Sequence, residues 1–317
     1  MAAQRVGTTP QVSVLITAYK RKEFLLSAAR SAAAQTLSRD RYEIVVIKAF
    51  EDEIIDRELL SLGCRLVRDD HESIGEMMRV GFLACRGEVV SVLDDDDEFA
   101  EGKLAAVQEA FSSDPGLGYL HNGISLIDEQ GRTAGPANPG PGDRAFDMSR
   151  DWGFCTSAIS VRRAALAPVL AHWPEVTKGE DSFLDFVTRA LEVHRRQILD
   201  PLTRYRVHGS MSSPRTNFAQ AYLATARVIR TLPRSSRRDA AMASLLGKYF
   251  SAAVRGRSSD RGSALWALLQ LAGTRRPDCV REDAREVLCG GLLVVSPGLS
   301  LRVYRSLCRG QVEWLPS

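Results

Sequence analysis

No stretch of this chain approaches the roughly 20 consecutive apolar residues that a membrane-spanning helix needs, so no such helix is expected. Met1 to Pro10 lacks the apolar core of a secretory signal, and secretion is not expected either. Cysteine is scarce and scattered: Cys64, Cys85, Cys155, Cys279, Cys289 and Cys308 show no CxxC spacing. That pattern suggests neither a disulfide framework nor a zinc site, and a reducing cytosol is the simplest home. No internal repeat is visible, and glycine is missing from the turn Thr17 to Lys22.

What is present fits an ordinary globular protein. The 317 residues are 44% hydrophobic and 26% charged, enough for one large domain with an appendage or for two domains. The net charge of +3 hides a division. Residues 1–215 carry 26 Lys+Arg against 32 Asp+Glu, a balance of −6, and residues 216–317 carry 16 against 7, a balance of +9. A basic C-terminal region suits anionic lipid or nucleic acid, or is simply a solvated arginine-rich surface.

Residues 12–17 (Val-Ser-Val-Leu-Ile-Thr) read as a buried strand ending in a polar turn, Thr17 to Arg21. A helix is expected over 22–36, a strand over 42–47, a short one over 65–67, a helix over 76–85 and a strand over 88–93. This alternation predicts an α/β domain with a mostly parallel sheet flanked by helices. Ligands of such sheets sit beyond the carboxyl ends of the strands. The turns at 17–21 and 48–52 and the aspartate run Asp94 to Asp97 should therefore converge. Gly131 to Gly142 is Gly/Pro-rich and reads as a mobile loop. A strand over 156–161, a helix over 181–191 and a strand over 203–208 follow. Beyond about 216 the pattern is all-helical, including segments 262–272 and 283–308.

Four like charges in succession repel, and a hard divalent cation, Mg²⁺ or Mn²⁺, would relieve them through carboxylate oxygens. A solvated acidic turn is the plainer reading of the run alone. Its setting favours the first reading. The ordered landmarks are Val12-Ser-Val-Leu-Ile-Thr-Ala-Tyr-Lys-Arg21, Ala34-Gln35-Thr36, Glu43-Ile-Val-Val46, Gly87 to Asp97, Gly179-Glu-Asp181 and Tyr205-Arg-Val-His208. Together these resemble the inverting family 2 glycosyltransferases of GT-A fold over about residues 11–210.

The resemblance implies a Rossmann-like nucleotide-sugar-binding domain over 11–215, after a disordered stretch 1–10 and before a helical region 216–317. It implies transfer of a sugar from a nucleotide-diphosphate donor to an acceptor hydroxyl on a glycan or lipid-linked acceptor. Asp181 would be the general base, with Glu180 holding the acceptor or its loop; a capping pair for the following helix is the structural alternative. Asp96 is the first choice as metal ligand, with Asp97 and His208 as further ligands. Asp94 would serve the donor side, and Asp95 is the most dispensable. Thr17 and Tyr19 match the turn that contacts the base, and Arg79 and Arg206 could reach the diphosphate. Glu51 or Asp52 supplies a carboxylate for a uracil-like imide, or neither does.

The basic helices suit a peripheral membrane contact at the inner face of a cytoplasmic membrane, packing on the catalytic domain, or dimerisation. Nucleic acid is not among the expected partners. A silent nucleotide-sugar-binding scaffold remains an alternative, as does a nucleotidyltransferase, against which the glycine-free turn after the first strand counts.

Overall fold

The computed structural model describes residues 10–19, 21–71, 73–134, 155–209, 218–255, 260–274 and 292. Four apolar runs form β1 (Val12–Ala18), β2 (Tyr42–Lys48), β3 (Cys64–Arg68) and β4 (Val89–Asp94). They lie parallel in the order β3-β2-β1-β4. Parallel neighbours need crossovers, supplied by α1 (Leu25–Ala33), α2 (Glu53–Ser61) and α3 (Ile74–Ala84). Strands covered on both faces tolerate no alternation, and all seven residues of β1 are buried.

The sheet continues through β5 (Glu98–Phe99), β6 (Leu117–Ile127), β7 (Ile159–Arg162) and β8 (His194–Arg206), with α4 (Lys103–Ser113) between β5 and β6. The full order is β3-β2-β1-β4-β7-β6-β8-β5. β7 runs antiparallel to β4 and β6, β6 runs parallel to β8, and β5 closes antiparallel on β8. The β6–β8 register slips on both sides of Gly123. A Cβ there would stand 2.3 Å from the Leu199 carbonyl oxygen and 2.9 Å from that of Asp200. Backbone cannot yield as a flexible side chain does, so Gly123→Ala is expected to destabilise the protein by about 2–3 kcal/mol. A denaturant titration with an unchanged midpoint would contradict this.

Gln35 ties α1 to α4. Its amide donates to the Ser31 and Ala100 carbonyls at 2.9 and 3.0 Å and accepts the Leu104 N–H at 2.9 Å. The helix expected over 22–36 is shorter, ending at Ala33, and Gln35 caps α4 instead.

The chain divides into two compact units. One comprises the described residues up to Pro174 together with Val193–Gly209. The other comprises Glu175–Glu192 and the described residues after Ser210. The second unit is helical: α5 (Glu180–Ala190), α6 (Ala219–Thr231), α7 (Ser236–Arg255) and α8 (Arg261–Ala272). Within it α5 packs on α6 and α7, and α7 on α8. Buried Arg238 closes the α6–α7 corner, donating to the Ile229 and Arg230 carbonyls at 3.1 and 2.9 Å and to Asp239 at 2.9 Å.

Several elements depart from the sequence expectation. Residues 156–161 open as a 3₁₀ turn before β7. The expected strand over 203–208 is the end of a much longer β8. Helices α2 and α4 and strand β6 are additional. Helix α5 groups with the C-terminal helices, not with the sheet. Of the Gly/Pro-rich segment only 131–134 is described, with Thr133 bridged to Ile127. The helical segment 283–308 lies outside the described residues except for 292. Among the described residues no helix is long and apolar enough to cross a membrane.

Candidate functional site

The apolar run of β4 ends at Leu93, and the chain turns through Asp94 to Asp97 at the carboxyl edge of the sheet. Asp94 stands beside Thr17 in the β1–β4 register. Thr17 is itself buried, and Tyr19 follows directly after β1.

Ser157 pins both ends of this acidic turn. Its Oγ accepts the Asp94 N–H at 3.0 Å and donates to Asp97 Oδ2 at 2.6 Å. Its carbonyl accepts from Lys103 Nζ at 2.5 Å and from Thr203 Oγ1 at 2.9 Å. Asp97 also accepts the Arg206 N–H at 2.9 Å and the Cys155 thiol at 3.7 Å. Burial, helped by Asp96, pushes the Asp97 carboxyl up to about 7. Burial likewise lifts Asp95 to about 7 against the pull of Arg21. It lowers the fully enclosed Lys103 ammonium to about 7.

One carboxylate oxygen from each of Asp94, Asp96 and Asp97 lies within 4.8 Å of the others. Three convergent hard oxygens suit Mg²⁺ or Mn²⁺. Both Asp97 oxygens already accept hydrogen bonds, so Asp97 would contribute through its remaining lone pairs. His208 Nε2 is 3.0 Å from Asp96 Oδ2, and its ring packs on Phe24 with centroids 5.2 Å apart.

Arg21 completes the cluster. Its Nη2 reaches Asp95 Oδ1 at 2.9 Å and Asp96 Oδ2 at 2.5 Å, while Nη1 is 3.4 Å from His208 Nε2. Arg21 was not a candidate from the sequence. The available signal was the basic trio Lys20-Arg21-Lys22, directly after a strand whose neighbour ends in aspartates. Lys22 binds Asp52 Oδ2 at 3.1 Å, so the turns after β1 and β2 do meet, as expected.

Other expected residues are engaged elsewhere. Arg206 was expected to face a diphosphate, but its guanidinium is enclosed by the protein. Nε donates to the Asp96 carbonyl at 2.7 Å, Nη1 to that of Asp128 at 2.9 Å and Nη2 to Glu98 Oε1 at 2.5 Å. It also lies over Phe24 at 4.6 Å. Arg206 is therefore a brace beneath the acidic turn. Glu51 is 80% exposed and paired with Arg68. Asp52 caps α2 through the Ile55 N–H at 3.2 Å; that bond, with Lys22, holds its carboxyl below the ordinary value. Arg79 is paired with Glu76 on its own helix, Nε to Oε2 at 3.0 Å.

In the helical unit, Gly179 takes the left-handed conformation (φ 74°) that starts α5. Asp181 Oδ1 accepts the Ser182 N–H at 2.6 Å. Glu180 Oε1 is buried without a hydrogen-bond partner, and burial pushes its carboxyl from 4.5 up to about 7. The folded-state value is raised. The resulting destabilisation therefore begins above about pH 4.5 and is complete above about pH 7. Glu180→Gln should accordingly melt a few degrees above the native chain at pH 8 and close to it at pH 5. Equal melting differences at both pH values would refute this.

The profile described as "Glycosyl transferase family 2" matches residues 13–166. Residues 13–166 thus carry the sequence pattern of the family 2 glycosyltransferases. The chain is 26% identical over 219 residues to an uncharacterized glycosyltransferase of Nostoc sp., covering 63% of the chain and 66% of that relative. It thus matches just under two thirds of the relative's length. Its fold, GT-A, is that of Staphylococcus aureus TarS (residues 1–349), solved with UDP-GlcNAc. The TM-score is 0.70 at 14% identity, covering 95% of this chain and 92% of that one. A mannosyltransferase of Pyrobaculum calidifontis, solved with GDP-Man and Mn²⁺, aligns with a TM-score of 0.51 at 14% identity, covering 96% and 89%.

Proposed function

We propose that this protein is a glycosyltransferase that moves a sugar from a nucleoside-diphosphate donor to an acceptor hydroxyl in one inverting displacement. The observation that carries the reading is the convergence of Asp94, Asp96 and Asp97 within 4.8 Å at the carboxyl edge of the sheet. The nucleotide sugars bound by the two solved neighbours support the donor class.

Asp94, Asp96 and Asp97, with His208 beside them, would hold a divalent cation. Bound there, Mg²⁺ or Mn²⁺ supplies Lewis-acid stabilisation of the charge that develops on the departing diphosphate. Asp181 takes the proton of the acceptor hydroxyl as that oxygen bonds to the anomeric carbon. The bond from that carbon to the diphosphate oxygen breaks on the opposite face, and the nucleoside diphosphate leaves with the electron pair. One displacement needs one base and no covalent intermediate. Thr17 and Tyr19, at the end of β1, fit the nucleoside side. The +9 balance of residues 216–317 supports an acceptor that is glycan or lipid-linked and held near an anionic surface.

The deciding experiment is turnover of a panel of UDP-, GDP- and dTDP-sugars, with and without Mn²⁺. One donor should be consumed, faster with metal. If none is consumed under any condition, the reading is wrong.

A further inference from the structure

Arg21 lies in the turn after β1, and one of its nitrogens bridges two carboxylates, Asp95 at 2.9 Å and Asp96 at 2.5 Å. Its side chain is 34% exposed, whereas those of Asp95 and Asp96 are 7% and 14% exposed. The carboxylates are thus fixed, and the arginine has room to swing. Asp96 belongs at the same time to the oxygen triad with Asp94 and Asp97. A guanidinium and a divalent cation therefore compete for the same carboxylate, and at such separations two cations repel strongly. His208, 3.4 Å from Nη1, also faces the guanidinium, and the charge of Asp94 acts on it as well.

The chemistry of the side chain offers it a second partner. A guanidinium fork matches phosphate oxygens as well as it matches carboxylate. We propose that Arg21 is an exchanging counter-ion. It neutralises Asp95 and Asp96 while the acidic turn holds no metal, and it pairs with the donor diphosphate once a divalent cation takes its place at Asp96. The inference rests on the nucleoside-diphosphate reading above. It assigns Arg21 a positioning role that the sequence motifs do not give it, and it explains how four successive aspartates stay ordered before any ligand arrives. The exchange makes metal and diphosphate arrive as a coupled pair, since each offers a new partner to a charge the other displaces.

The test is calorimetric titration of the full chain at pH 8, with native protein, Arg21→Gln and Arg21→Lys. Mn²⁺ is titrated alone, then UDP and GDP at saturating Mn²⁺. Arg21→Gln should bind Mn²⁺ alone several-fold more tightly and bind the preferred nucleoside diphosphate about tenfold more weakly. Arg21→Lys keeps the charge but not the fork, so its Mn²⁺ affinity should stay near native while its diphosphate affinity falls part of the way. Opposite signs for the two ligands are the signature. A residue that merely braces the fold would weaken both together, and that result, or two unchanged affinities, overturns the proposal. If the native chain binds neither Mn²⁺ nor either diphosphate, the functional reading falls and this inference falls with it. Native binding with an unaffected Arg21→Gln sinks the inference alone.

Discussion

Alanine in place of Asp96 is expected to lower donor turnover by about 10²–10³-fold without loss of folding, a scale typical of removing one preorganised electrostatic contact. Asp96 repels both neighbours: its charge helps hold the Asp95 and Asp97 carboxyls up near 7. Deleting it relieves that repulsion but removes its contacts with Arg21 and His208, while Arg21 keeps Asp95, so the metal-free variant should melt close to the native protein. Function and stability then move apart, as they do where an active site is built from like charges. The second readout is the Mn²⁺-induced rise in melting temperature, which reflects binding to the folded state alone and should vanish in the variant. A variant that keeps a tenth of native turnover, or the full Mn²⁺ shift, would remove Asp96 from the proposed metal site.

Asp181→Asn should cost about 10²–10⁴-fold in kcat, the range for loss of a general base, with UDP or GDP affinity unchanged. The substitution is close to isosteric. An asparagine Oδ1 can still accept the Ser182 N–H, now 2.6 Å from the Asp181 carboxylate, so the first turn of α5 should persist. What an amide cannot do is take a proton from the acceptor hydroxyl. The relevant comparison is single-turnover rate against diphosphate affinity on the same preparation. Equal losses in both would mark Asp181 as a structural or donor-binding residue, and an unchanged rate would remove it from the mechanism.

The half of the fold whose carboxyl edge carries the aspartate run is legible in the sequence because its strands are covered on both faces. Val12-Ser-Val-Leu-Ile-Thr and Val89-Val-Ser-Val-Leu are continuous apolar runs, and burial of this kind leaves no other reading. The other half is hidden for the converse reason. β6 carries His121, Asn122 and Gly123 in its interior, with His121 and Asn122 buried, and β8 passes through Arg195, Arg196, Asp200 and Pro201. Neither segment alternates cleanly, and their pairing depends on a register slip that no local pattern encodes. The site divides similarly. The aspartate run announces itself by charge density alone. Ser157, which fastens that run, is one serine in Cys-Thr-Ser-Ala, and its role exists only once β7 lies against β4. Arg206 was legible as a cation near the site but not as a buried one, because its partners are largely backbone carbonyls.

The chain leaves the sheet unit after Pro174 and returns to it at Val193, with consequences for biosynthesis. A ribosome delivers α5 before β8, yet α6 and α7, on which α5 packs, follow β8 in the chain. For that interval Phe183, Leu184, Phe186 and Val187, all enclosed in the finished protein, have no α6 or α7 to cover them. Exposed apolar faces of this kind invite aggregation and chaperone capture. A fragment ending near residue 215 would make that interval permanent, and it would do so on the very helix that carries Glu180 and Asp181. Helix α5 is thus not severable from α6 and α7, and its maturation waits on their emergence.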